Sequence, residues 1–214
     1  MNGKRLTIDF FHDVVCSWCF NISPRLRTLA EEFDLDIRHR TYVLQANRDE
    51  MIARFGSMDG AKAEILRHWA ASRAASDTPE AFNIEAMREA DFEYPSGMPA
   101  ALACKAAEIR GGQQAHWAMF DAIQKAHISE ARNIADAAVL HDIAAAIGLD
   151  ADRLAADMAS AETRALVEAD RAEARRLQVR TVPTILVRDT GHRFVNGPLE
   201  DLRAQLLANL RLVA

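Results

Sequence analysis

Two cysteines held two residues apart, Cys16-Ser17-Trp18-Cys19, are the part of this chain best suited to chemistry. At that spacing two sulfurs meet across a single helical turn, and a disulfide closes at little conformational cost. The pair falls where an apolar run gives way to a helical pattern, so Cys16 is expected at or just before a first helical turn. Free N–H groups and the macrodipole favour negative charge there, which predicts a stabilised thiolate. Each unit by which such a pKa falls corresponds to about 1.4 kcal/mol. Cys19, on the buried stripe of the same helix, is expected to stay a thiol until it attacks the Cys16 sulfur. Neither Ser17 nor Trp18 carries a positive charge, so the lowering at Cys16 should be moderate. Trp18 offers a flat apolar face to a thiol substrate or an unfolded chain.

A Cys-x-x-Cys pair is also half of a zinc site, which normally takes four ligands. The other candidates are Cys104, His12, His39, His68, His116, His127, His141 and His192, and none repeats a paired ligand spacing. No metal is assigned on that basis, and redox use is the stronger reading. Cys104 sits among alanines in a helical stretch and reads as a small buried hydrophobe. Trp69, Trp117 and Phe120 fall at helical spacing and read as core or groove lining.

The elements that must position the pair follow from periodicity. Residues 6–15 are dense in β-branched and aromatic side chains and predict a strand buried on both faces. Cys19, Ile22, Leu26, Leu29 and Phe33 form one apolar helical stripe, with Pro24 inside it marking an expected kink. Ile37, His39, Thr41 and Val43 alternate with Arg38, Arg40 and Tyr42 and predict a second strand, joined by a right-handed parallel crossover. Residues 58–178 then read as helix after helix, broken at 77–79, 94–97, 111–112 and 148. Segments 98–110 and 113–126 are expected to pair antiparallel about Gly111-Gly112, with further helices over 133–147, 150–159 and on to 177. Residues 184–187 predict a strand, 189–191 a hairpin turn, 194–195 a return strand, and Pro198 the start of a closing helix through 210. The order is β-α-β, a helical block, then α-β-β-α. It predicts an α/β domain from residues 1–55 and 165–214, split by a helical insertion over 56–164.

Composition sets the outer bounds. The 214 residues carry 26 basic and 31 acidic side chains, a net charge of −5, and half are hydrophobic. That is an ordinary globular balance for one large domain or one domain with an insertion. The mild acidity leaves no basic stripe to displace counterions, so nucleic acid is not an expected partner. No apolar run reaches the ~18 residues of a membrane span. Asp9, His12 and Asp13 interrupt what a secretory signal would need as its apolar core, and the expected compartment is the cytoplasm. Three cysteines do not make a disulfide framework.

The strand ending in Val14-Val15 before Cys16-Ser17-Trp18-Cys19, the segment Arg180-Thr181-Val182-Pro183-Thr184 before a strand, and Phe194-Val195-Asn196-Gly197 before the last helix together resemble the thioredoxin superfamily. Pro24 fits the same pattern. With the helical insertion the resemblance is to its DsbA-like branch, and especially to the FrnE-like cytoplasmic dithiol oxidoreductases, over essentially the whole chain. It implies a thioredoxin fold with Cys16 as nucleophile, Cys19 as resolving thiol and Pro183 as a cis-proline facing them. Val182 would offer its backbone to an extended substrate strand, with Thr181, Ser17 and Trp18 completing the substrate surface. Many relatives have Pro in place of Ser17. No acidic residue is assigned as a buried proton acceptor, since both Asp9 and Asp13 fit a solvent-facing position equally well.

The resemblance implies thiol–disulfide exchange on protein or small-molecule disulfides, without a bound cofactor beyond the Cys16–Cys19 disulfide and with glutathione as a candidate co-substrate. A homodimer is a candidate assembly, and the insertion is expected to roof the active-site face. Two rival readings stand beside this one. A glutathione-dependent isomerase or transferase of the kappa-class or 2-hydroxychromene-2-carboxylate isomerase type shares the architecture, but such relatives typically have Ser in place of Cys16. A redox-switched binding or chaperone protein uses the same dithiol without turnover.

Overall fold

A computed structural model describes residues 5–213. Of the amino-terminal segment discussed above, positions 1–4 lie outside the described residues. The centre is a mixed sheet in the order β2-β1-β3, formed by β1 (Leu6–His12), β2 (Leu35–Thr41) and β3 (Thr184–Val187). β1 is parallel to β2, with Leu6 opposite Leu35 and His12 opposite Thr41, and antiparallel to β3, with Ile8 opposite Val187. Leu6, Ile8, Phe10, Phe11 and His12 are all buried completely, as a central strand covered on both faces requires.

β1 stops three residues earlier than the apolar run suggests, because the chain turns at Asp13 to Cys16, where the Cys16 N–H donates to the Asp13 carbonyl at 3.1 Å. Helix α1 (Ser17–Glu32) follows at once and buries the stripe Cys19, Ile22, Leu26 and Leu29. It runs unbroken through Pro24. Arg25, on the same helix, is itself buried and satisfied by Asp77 at 2.7 Å, the Gly197 carbonyl at 2.9 Å and the Ala75 carbonyl at 3.1 Å. It fixes α1 against two distant loops.

The helical block comprises α2 (Arg48–Phe55), α3 (Met58–Ala74), α4 (Ile84–Glu89), α5 (Met98–Gln124), α6 (Ala137–Ala146), α7 (Ala151–Met158) and α8 (Ala161–Arg176). Side-chain caps set most of the starts: Asn47, Ser57, Asn83, Asp136, Asp150 and Ser160 each accept a backbone N–H of the first turn. Gly111 and Gly112 leave helical geometry inside α5, with φ/ψ of −136/17° and 64/−158°. A straight helix would put residues 108 and 116 about 12 Å apart along its axis, yet Glu108 Oε2 lies 2.7 Å from His116 Nδ1. The glycines therefore bend α5 sharply enough to bring its two halves into contact.

The expected return strand at 194–195 is not formed. Beyond β3 only an isolated Leu186–Arg193 bridge pairs, because Gln205 of α9 (Leu199–Val213) takes both backbone groups of Val195, accepting its N–H at 2.8 Å and donating to its carbonyl at 2.9 Å. Among the described residues the sheet has three strands, not four.

The acidic residues left open on β1 are both buried. Asp9 pairs with Arg40 and Arg188, and Asp13 is 2% exposed. Beneath the turn after β1, the Tyr94 hydroxyl donates to the Val15 carbonyl at 3.2 Å and accepts from Trp69 Nε1 at 3.1 Å, with His127 Nε2 2.9 Å away. Since the single Tyr94 proton goes to Val15, His127 must donate from Nε2. Burial lowers the His127 pKa to about 4. The unfolded chain, near the ordinary 6.5, therefore takes up the proton first, and this residue's stabilisation is lost as pH falls from about 6.5 to 4. We expect His127→Gln, which keeps a donor toward Tyr94, to reduce the loss of stability between pH 7 and 4.5 by about 2 kcal/mol in urea titrations. An identical loss in both proteins would show that His127 does not titrate this way.

Candidate active site

Cys16 is the N-cap of α1, with φ −85° and ψ 109°, and its carbonyl accepts the Cys19 N–H at 3.0 Å. Unlike the helices listed above with side-chain caps, α1 has no side-chain cap and no acidic residue in its first turn. The field of its free N–H groups therefore meets the cysteine itself. Cys16 is buried, at 8% exposure, and its sulfur lies 3.7 Å from the Val182 carbonyl oxygen; the Val182–Pro183 bond is cis. The chain thus brings together residues 166 positions apart, Cys16 and Val182, across the end of the sheet.

Cys19 is sealed completely. Burial holds its thiol well above the ordinary range, and the hydrogen bond and charge interaction with Cys16 push the same way, against a backbone hydrogen bond from Asp13. Both cysteines are free thiols. The two thiols interact but differ in access: Cys16 keeps a small exposed area at a helix tip, whereas Cys19 keeps none. Cys104 is completely buried on α5, where burial likewise raises its thiol pKa.

Asp13 lies on the inner side of the pair. Its carboxylate accepts the Leu44 N–H at 2.6 Å and the Val15 N–H at 3.3 Å, while burial raises its pKa against those bonds. Gly97 packs so closely over this carboxylate that a Cβ there would collide with it. Gln124 holds the floor: its Nε2 donates to the Val14 carbonyl at 3.1 Å and the Cys16 carbonyl at 3.0 Å. Sequence reasoning missed Asp13, Gln124 and Tyr94 as parts of this site. Asp13 had a signal, its place three residues before Cys16. Tyr94 was legible only as part of a helix breaker, and Gln124, 108 residues from Cys16, had none.

Two clefts meet at this corner. One, of about 220 Å³, is bordered by Cys16, Trp18, Met51, Arg54, Phe55 and His68. Helices α2 and α3 thus form its far wall. The other, of about 450 Å³, is bordered by Asn21, Ile22, Thr181, Pro183, Asn196 and Gly197. Trp18, 38% exposed, and Val182 separate the two. Ser17 lines the first cleft but is buried, so it offers little surface to a partner, whereas Thr181 is exposed. The Thr181 carbonyl accepts the Thr184 hydroxyl at 2.7 Å, which orders the turn before β3.

Comparison with known proteins fits this geometry. A Nitrosomonas europaea structure superposes with a TM-score of 0.80 at 20% identity, covering 99% of this chain and all of that one. The cytosolic disulfide reductase DsbM from Pseudomonas aeruginosa superposes with a TM-score of 0.78 at 26% identity, over 97% of this chain and all of that one, and its structure with GSH gives 0.77 at 25% over 96% and all of that chain. The ClpXP adapter protein SpxH of Shouchella clausii (strain KSM-K16) is 30% identical over 185 residues, 86% of this chain. This chain spans only 58% of the length of that curated relative. Among the described residues, no helix is long and apolar enough to cross a membrane. Residues 7–207 match the DSBA-like thioredoxin domain. The chain belongs to the DsbA-like thioredoxin family and has its fold, a mixed three-stranded sheet with many helices.

Proposed function

We propose that this protein is a cytoplasmic thiol–disulfide oxidoreductase in which Cys16 attacks and Cys19 resolves. The observation that carries this reading is the contrast between the two contacting sulfurs, one at an uncapped helix tip and one wholly buried. A substrate disulfide entering beside Trp18 meets the Cys16 sulfur first. The Cys16 thiolate forms a bond to one substrate sulfur, and the other leaves as a thiolate and takes up a proton. The mixed disulfide lies against the Val182 backbone. Cys19 then gives its proton to the Asp13 carboxylate and attacks the Cys16 sulfur; the second substrate sulfur leaves as a thiolate and takes up a proton, and Asp13 is returned to its carboxylate form. Two protein thiols are oxidised and one disulfide is reduced; run in reverse, the same steps donate the disulfide.

Glutathione suits the smaller cleft. Among the described residues no carboxylate lines that cleft, although Glu64 lies 3.5 Å from His68 Nε2; Arg54 borders it and offers favourable charge to a small thiol bearing carboxylates. The structure of DsbM with GSH supports the same chemistry. SpxH, an adapter by name, favours the alternative in which the dithiol regulates binding. Turnover separates the two readings.

Insulin reduction and reduction of a glutathionylated peptide test the assignment. Cys16→Ser should abolish both, and Cys19→Ser should trap a mixed disulfide on Cys16 visible by mass spectrometry. Wild-type turnover in Cys16→Ser would eliminate the enzyme. Asp13→Asn should slow the resolving step roughly 10- to 100-fold at pH 7, with recovery as rising pH ionises Cys19 without help. A uniform loss at every pH would assign Asp13 a structural role only. Arg54→Glu should raise KM for the glutathionylated peptide about fivefold, as expected for an exposed charge pair, and leave kcat unchanged. An unchanged KM would place glutathione elsewhere.

A further inference from the structure

Three histidines that the thiol chemistry does not use meet in the core. His12 ends β1, His39 lies in β2 and His116 follows the glycine bend of α5, and each is completely buried. One nitrogen of each turns toward the others. His12 Nε2 is 3.2 Å from His39 Nδ1 and 3.2 Å from His116 Nε2, and the facing atoms of all three lie within 4.8 Å of one another. The ring centres form a nearly equilateral triangle with sides of 5.1, 5.2 and 4.9 Å.

Protons alone do not satisfy this arrangement. Glu108 Oε2 sits 2.7 Å from His116 Nδ1, which fixes the proton on that nitrogen and leaves a lone pair on Nε2. His12 Nε2 can then bond to His116 only by donating its one proton. The same nitrogen also faces His39 Nδ1, and one proton is not aimed at two acceptors. The remote nitrogens, His12 Nδ1 and His39 Nε2, have no hydrogen-bond partner that would fix a different tautomer.

A metal ion removes the conflict by accepting all three lone pairs. Tetrahedral zinc with zinc–nitrogen bonds of about 2.05 Å sets its ligand nitrogens about 3.3 Å apart, close to the two 3.2 Å separations present. The Glu108–His116 contact is the carboxylate–histidine pairing that orients and strengthens an imidazole ligand. Lys105, beside the site, is paired with Glu108 and Asp170 at 2.7 and 2.6 Å, the latter shared with Arg40 at 3.1 Å. Three imidazoles without an oxygen ligand select a nitrogen-preferring transition ion over Mg²⁺ or Ca²⁺. We propose that His12, His39 and His116 form a zinc site that staples β1 and β2 to α5 behind the Cys16 corner. Complete burial of all three ligands keeps substrate away from the ion, so its role would be structural although it has three protein ligands where most structural zinc sites have four.

The test uses the Cys16→Ser/Cys19→Ser protein, which removes the competing thiol pair, refolded with Zn²⁺ or with EDTA because the ligands are sealed in the folded state. Native mass spectrometry should find one zinc per chain after gel filtration, with a higher thermal midpoint than the EDTA-refolded protein. His39→Phe in this background should retain none. Glu108→Gln, a milder change, should weaken zinc binding about 10- to 100-fold in chelator competition, with far-UV circular dichroism unchanged. No bound zinc in the parent protein, equal zinc in a folded His39→Phe, or undiminished affinity in Glu108→Gln would each overturn the proposal.

Discussion

The unequal burial of two sulfurs one helical turn apart is the constraint on which the rest of the structure depends. It requires a strand that ends at a fixed point, a helix that begins at once, and a second segment that covers the cysteine pair. β1 ends at His12 because the Asp13–Cys16 turn intervenes, and α1 begins at Cys16 without a side chain occupying its tip. The segment before β3 brings the Val182 carbonyl to 3.7 Å from the Cys16 sulfur. Cys19, on the apolar stripe of α1, is left in the core, where ionisation is costly.

The corner is held from beneath by polar side chains of the insertion rather than by the sheet alone. Gln124 and Tyr94 satisfy the carbonyls of Val14 and Val15, which a turn in the core would otherwise leave without partners, and Gln124 adds a bond to the Cys16 carbonyl. Asp13 satisfies Val15 and Leu44 in the same way, and Gly97 alone leaves room for its carboxylate. The insertion therefore does more than cover the site, because it supplies part of the frame that fixes the position of Cys16. Charge is treated similarly on β1. Asp9, buried in the central strand, is compensated by Arg40 and Arg188, and Arg40 also reaches Asp170 on α8. Removing both arginines would leave the buried Asp9 charge uncompensated, which is costly.

Local signals carried much of this into the sequence. The dense β-branched and aromatic run of β1, the three- and four-residue stripe of α1, and the placement of Cys16-Ser17-Trp18-Cys19 at their junction were all legible, as was the strand at 184–187. Contacts made by distant residues were not. Apart from the Val15 N–H beside Asp13, the partners of the Asp9 and Asp13 carboxylates come from residues 31 or more positions away, so neighbouring residues gave no sign that either is buried. The strand expected at 194–195 was lost to one side chain, Gln205, which competes for the Val195 backbone. Gly111-Gly112 was visible as a breaker, but that it folds Glu108 onto His116 was not. The three core histidines lie on two strands and a bent helix and show no ligand spacing along the chain, although the fold brings them together.

Timed alkylation of the fully reduced protein with iodoacetamide, followed by peptide mass mapping, tests the asymmetry between the two sulfurs most directly. Cys16 should be modified at least ~10-fold faster than Cys19 at pH 7 in the native state, and the difference should vanish in denaturant. Equal native rates, or faster modification of Cys19, would contradict the account.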